Sequence, residues 1–174
     1  MQNLANPTTR SSLLTSTATT VDALDALLAR HAAAEQTTAS DAAGWTTKDH
    51  LAHVAAWYRS VLLPARDGIS RSHALGVSEA VFATRSQDDF YALNDEIRRL
   101  YAGESLATVV DGLHTVVAET QAFIASASDD DLQRRIEACD PADGEVPVAD
   151  LLREDGWMHL DEHRGYIATI LGDR

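Results

Sequence analysis

Four stretches of this chain repeat apolar side chains at three- and four-residue spacing. That period restricts the fold more than any other feature, because such a stripe is buried by packing helix on helix. The first stretch, from about Ser11 to Ala34, carries Leu13, Leu14, Val21, Leu24, Leu27 and Leu28. The second opens at Thr46, with Asp49 three residues on in capping-box spacing, and runs to about Leu63, where Pro64 and Gly68 interrupt it. The third follows Ser105 through Leu106, Val109, Val110, Leu113, Val116, Val117, Phe123 and Ile124 to about Ser126. The fourth spans Val148 to Leu171, with Leu152, Met158, His159, His163, Tyr166, Ile167 and Ile170 on its apolar side. With no internal repeat or low-complexity segment, the pattern predicts an all-α, up-and-down four-helix bundle with a long irregular crossover between helices two and three.

The remaining segments read as connections. Residues 1–10 form an expected flexible N-terminal tail, and 11–174 a single bundle domain, since 174 residues suit one core. Gln36–Gly44 is rich in residues that compete with helical hydrogen bonding and reads as a loop. Gly68–Val81 has no clean period, a helical turn or two is expected around Asp88–Leu100, and Ser128–Leu132 resembles a short capped turn. Cys139–Pro147, with two prolines and a glycine, reads as a loop.

Charge and cysteine content exclude several functions. A net charge of −13, from 14 basic against 27 acidic side chains, lacks the clustered cations that a phosphate backbone or an anionic membrane demands. No run approaches the roughly 18 apolar residues of a spanning helix, and the Thr/Ser-rich start has no hydrophobic signal core, so a cytoplasmic protein without nucleic-acid or membrane partners is expected. Cys139 is the single cysteine. An intrachain disulfide and a thiolate metal cage are therefore impossible, and the thiol reads as exposed and incidental.

Two motifs about a hundred residues apart carry the chemistry: Gly44-Trp45-Thr46-Thr47-Lys48-Asp49-His50-Leu51-Ala52-His53-Val54-Ala55-Ala56-Trp57, and His159-Leu160-Asp161-Glu162-His163. Imidazoles one turn apart on one helix, joined by another from a facing helix, can close on one divalent ion. His53 shares a face with Trp57, while His50 lies about 60° round the helix, where it could replace His53 but reads better as a rim residue. Three neutral imidazoles leave a coordination position open, the arrangement of a catalytic site, where water or a thiol could be activated. Zinc, nickel and iron all suit imidazole. Trp45, Trp57 and Trp157 are first hydrophobic mass closing the bundle's end, and as pocket walls they would shape an apolar substrate site, Trp45 and Trp57 foremost. Glu162 and Asp155 flank the histidines at spacings that could orient an imidazole. Asp49 reads as a helix cap, residues 129–131 as solvated charge, and His31, His73 and His114 as surface or helix-end residues.

In this order, the 44–57 motif, Leu93-Asn94-Asp95-Glu96-Ile97 and the terminal His159-x-x-x-His163 resemble DinB-like four-helix bundle proteins over about residues 12 to 171. That superfamily includes YfiT-like metal-dependent hydrolases, mycothiol- and bacillithiol-dependent transferases, and ClbS/DfsB-type proteins. Carried over, its metal ligands fall on His53, His159 and His163, and Tyr91 and Asn94 near a pocket mouth. In the maleylpyruvate isomerase branch the middle ligand is typically glutamate, so His159 looks more like the all-histidine branch. The resemblance implies a metal-dependent enzyme of small-molecule detoxification, with zinc or nickel and a low-molecular-weight thiol as co-substrate, transferring that thiol to an electrophile or hydrolysing one, and a homodimer. The alternatives are a metal-independent, ClbS/DfsB-like self-resistance protein acting on a reactive metabolite, and a non-catalytic, metal-stapled dimeric bundle.

Overall fold

A computed structural model describes residues 8–85 and 90–173. The expected all-α bundle forms, from α1 (Arg10–Leu28), α3 (Thr47–Asp67), α7 (Leu106–Ser126) and α10 (His159–Ile170), with α2 (Ala33–Thr38) as a short helix between the first two. Helices α1 and α3 each pack on both α7 and α10, around Leu24, Leu51, Leu113, Val117, Leu160 and Ile167. Helix α1 starts earlier than its stripe suggests, because Thr9 and Ser12 cap it reciprocally. It ends at Leu28, and Gln36, expected in a loop, is buried within α2 with its side-chain amide donating to the carbonyls of Leu28 and His31. Residues 1–7 of the expected tail lie outside the described residues.

Helix α3 begins as its capping box predicts, with Thr46 N donating to the Asp49 carboxylate at 2.9 Å and Asp49 N to the Thr46 hydroxyl at 3.3 Å. It does not stop before Pro64. Pro64 forfeits one backbone hydrogen bond, but Pro64 and Ala65 are buried, and tertiary packing carries the last turn to Gly68, whose φ of 71° ends it in the left-handed region.

The long crossover lies on α3. It contains two single-turn helices, α4 (Arg71–Leu75) and α5 (Glu79–Ala83), capped by Ser70 and Ser78, then α6 (Phe90–Leu100). The first two are too short to show a period, which is why 68–81 read as irregular. The expected start of α6 near Asp88 lies outside the described residues. Leu75, Phe82, Leu93 and Ile97 bury the crossover against Ala56 and Trp57 of α3. After α7, the Ser128-capped α8 (Asp129–Gln133) leads into a two-stranded antiparallel ribbon, β1 (Arg135–Glu137) and β2 (Glu145–Pro147), in which Ile136 pairs with Val146. The loop expected over Cys139–Pro147 thus contains a strand, too short for sequence alternation to reveal.

The largest departure is the last helix. Instead of running unbroken from Val148, the chain forms one turn of α9 (Val148–Leu151) and a π-helical segment, Leu152–Met158, broken at Gly156 (φ −97°, ψ −110°), before α10. The extra residue shifts the helical phase, so no single stripe continues through it. Leu152, Leu160, His163 and Ile167 are buried, whereas Met158 and Tyr166 are each 46% exposed rather than part of the core. Among the described residues no helix is long and apolar enough to cross a membrane.

Candidate metal centre

Helix α3 turns His50, His53 and Trp57 toward α10 because residues three and four apart share a helix face, and α10 returns His159 and His163 one turn apart. One ligand atom from each of His53, His159 and His163 lies within 4.8 Å of the others. The three ring centroids are 4.6 to 4.9 Å apart. Nε2 of His53 and Nε2 of His159 face each other at 3.2 Å. Two nitrogens each about 2.0–2.1 Å from a tetrahedral zinc stand about 3.3 Å apart, so this pair already has the bite of one ion.

The surroundings fix the other nitrogens. The break at Gly156 sends the backbone N–H of His159 to the carbonyls of Glu154 and Gly156, leaving the Asp155 carbonyl to accept from the His159 ring. His163 Nδ1 lies 2.8 Å from Nδ1 of His50, whose Nε2 is 3.4 Å from the Asp41 carboxylate. In the arrangement that frees His163 Nε2 as a ligand, His163 Nδ1 donates to His50, and the His50 Nε2–H faces Asp41. The other Asp41 oxygen accepts from the backbone N–H groups of Ala43 and Trp45, tying the loop before α3 to the same chain of contacts. His50 is therefore not a rim residue: it is 3% exposed and supports the cluster from behind.

Burial keeps these imidazoles neutral. It lowers His53 well below the ordinary value, with neighbouring His159 and His163 adding to the effect, and lowers His159. It pushes His163 down to about 2, and lowers His50 despite the opposing pull of Asp41. Neutral imidazole is the form that ligates a metal at physiological pH, so donor type, distance and protonation all fit a divalent ion.

The cluster opens on two cavities, of about 480 and 400 Å³. Both include His53, Asn94, His159 and Glu162, so one cleft crosses the imidazoles. On the larger side stand Trp57, Phe90, Cys139 and Met158. On the smaller side stand Trp45, Tyr91 and Tyr166.

Residues 16–167 match the DinB superfamily. The chain belongs to that superfamily. No curated protein matches it. Its DinB fold is similar to the crystal structure of an uncharacterised protein from Escherichia coli UTI89, with a TM-score of 0.72 over 96% of this chain and 95% of that one, at 16% identity. At that identity the likeness is one of fold alone.

Within the DinB bundle the other predicted residues occupy distinct places. Trp57 is 3% exposed and meets the His53 and His159 rings edge-on, at 5.9 and 6.1 Å between centroids. Trp45 packs on His50 and His53 at 5.3 and 5.4 Å. Asn94 lines both cavities, whereas Tyr91 is 80% exposed at the edge of the smaller one. Trp157 does not join the site; it packs in a separate cluster with Leu13, Ile124 and Leu152. The Asp155 carboxylate does not orient an imidazole: it accepts at 2.6 Å from Arg71, a guanidinium 1% exposed that also donates to Ser60 Oγ at 2.9 Å. The Glu162 carboxylate accepts from the Tyr166 hydroxyl at 2.6 Å. Cys139 is not an exposed thiol; it sits in the cavity wall, where burial pushes it up to about 12.

Sequence reasoning missed Asp41, Phe90 and Arg71, and misplaced His50. The i, i+3 relation of His50 to His53 was the available signal for His50, while Asp41 and Arg71 carry none, because only tertiary contacts join them to the site.

Proposed function

We propose that the chain is a metal-dependent enzyme of small-molecule modification, transferring a low-molecular-weight thiol to an electrophile or hydrolysing an electrophilic substrate. What carries the reading is three neutral imidazoles converging at the junction of two cavities: an ion they held would be left with fewer protein ligands than it can take, beside ligand-sized space, as a catalytic site requires. Zinc and nickel suit the all-nitrogen donor set, and a divalent ion supplies the Lewis acidity that keeps a thiol or water nucleophile deprotonated at neutral pH. The chain's own residues do the rest. His53, His159 and His163 would hold the ion. His50 and the Asp155 carbonyl set the ring orientations. Trp57, Phe90 and Met158 provide the apolar wall that excludes water beside the reacting groups.

The test is elemental analysis of the purified protein beside His53→Ala, His159→Ala and His163→Ala. One ion per chain in the wild type, lost in all three variants, supports the reading, and metal content unchanged by the substitutions refutes it.

A second reading has its own support. The pairs His53–His159 and His50–His163 stand at 3.2 and 2.8 Å, so the four rings can satisfy one another as hydrogen-bonded imidazoles without an ion. In that reading the cleft acts on a reactive metabolite independently of metal, and full activity after chelation distinguishes it. A homodimer remains part of the proposal, and sedimentation of the protein tests it.

A further inference from the structure

Charge in the cleft is one-sided. The ionisable side chains lining the larger cavity besides the imidazoles and the half-buried Cys139 thiol are Glu154, Asp155 and Glu162, and the carboxylates of the smaller one are Asp41, Asp95 and Glu162. Among the described residues that line either cavity there is no lysine or arginine. The nearby guanidiniums pair with two of these carboxylates: Arg71, buried behind the wall, holds Asp155, and Arg153 holds Glu154 at 2.6 Å, which leaves Glu162 as the carboxylate of the larger cavity without an arginine among the described residues. Glu162, shared by both cavities and next to His163, meets only the Tyr166 hydroxyl in its hydrogen bonding.

Resting on the metal-centre reading, we propose that the site selects ligands whose body, away from the atom bound at the imidazoles, is uncharged or cationic, amines foremost, and discriminates against carboxylates and phosphates. A bound divalent ion offers its charge to one donor atom beside the imidazoles. The remainder of the ligand extends along the wall of Trp57 and Phe90 and past Glu162, where a carboxylate loses its hydration, meets like charge and finds no lysine or arginine in the lining to replace the water. An ammonium gains from Glu162 instead. The net charge of −13 works in the same direction at long range, drawing cations toward the molecule.

The test uses protein loaded with one cobalt per chain and three thiols of similar reach: cysteamine, N-acetylcysteamine and 3-mercaptopropionate. Each is titrated by its thiolate-to-cobalt absorption at pH 7.5, in wild type and Glu162→Gln. Comparing the two proteins cancels the different acidities of the thiols. The expected result is that Glu162→Gln weakens cysteamine and tightens 3-mercaptopropionate, by about threefold to tenfold each, and leaves N-acetylcysteamine within about twofold. Glu154→Gln, farther along the rim, shifts the same ratio in the same direction and serves if Glu162→Gln does not load. A wild type that prefers 3-mercaptopropionate after correction for thiol acidity, or a ranking that neither substitution alters, overturns the selectivity. A wild type that takes up no cobalt overturns the metal-centre reading beneath it, so the two failures are distinguishable.

Discussion

Acidification of the metal-free protein should unfold it through the histidine cluster. The His163 imidazole titrates near its ordinary 6.5 in the unfolded chain but is pushed down to about 2 by burial in the folded one. Below pH 6.5 the unfolded state therefore binds a proton that the folded state refuses, and stability present above that pH is lost as pH falls. At pH 5.5 the loss is about 1.4 kcal/mol from one such group. His53, lowered well below its ordinary value, and His50 and His159, also lowered, add in the same direction. Even the loss from His163 alone is a sizeable fraction of the roughly 5–15 kcal/mol of a typical domain. The assay is urea unfolding of chelator-stripped, dialysed protein at pH 7.5, 6.5 and 5.5, followed by the fluorescence of its 3 tryptophans. His163→Leu, which removes one protonation site, should take away that group's share, about 1.4 kcal/mol of the loss between pH 7.5 and 5.5. A free energy of unfolding that stays flat from pH 7.5 to 5.5, or a His163→Leu protein with the wild-type slope, would refute the reasoning that burial holds these rings neutral.

Other outcomes follow from the same contacts. His50→Leu should weaken zinc binding by about 10- to 100-fold through loss of the partner on His163 Nδ1, while His50→Gln, whose side-chain carbonyl can still accept, should recover most of it; competition with a chromogenic chelator reads both. Arg71→Met leaves the partly buried Asp155 carboxylate unpaired and should cost about 3–5 kcal/mol in urea unfolding, and a change under 1 kcal/mol would contradict the contact. Leu113→Ala, at a core position 1% exposed between α3 and α7, should cost about 2–5 kcal/mol by the same measurement. Cys139, pushed up to about 12, should react with iodoacetamide at pH 8 about a thousandfold more slowly than free cysteine, and mass spectrometry after timed quenching follows it.

The apolar periods of α1, α3 and α7, the Thr46–Asp49 cap and the Ser105 and Ser128 starts were legible because each depends on side chains within a few residues of one another. The triad was legible for a related reason. His53 with Trp57, and His159 with His163, are spaced by one turn, and helix geometry alone puts such pairs on one face. The resemblance to DinB-like proteins supplied the further step that the two faces meet.

What the sequence by itself determined, then, is local: where helices begin, which face of each is apolar and which histidines share a face. Only the tertiary structure decided the rest. The π-helical break at Gly156 cannot be read from an apolar stripe, yet it frees the Asp155 carbonyl for His159. The burial of His50 behind His163, the claim of Arg71 on Asp155 and the convergence of carboxylates without a cation around the cleft join residues about 40 to 120 positions apart. Contacts of that range leave no period and no spacing in the chain, because they are set by which helix packs against which, and that choice belongs to the core as a whole.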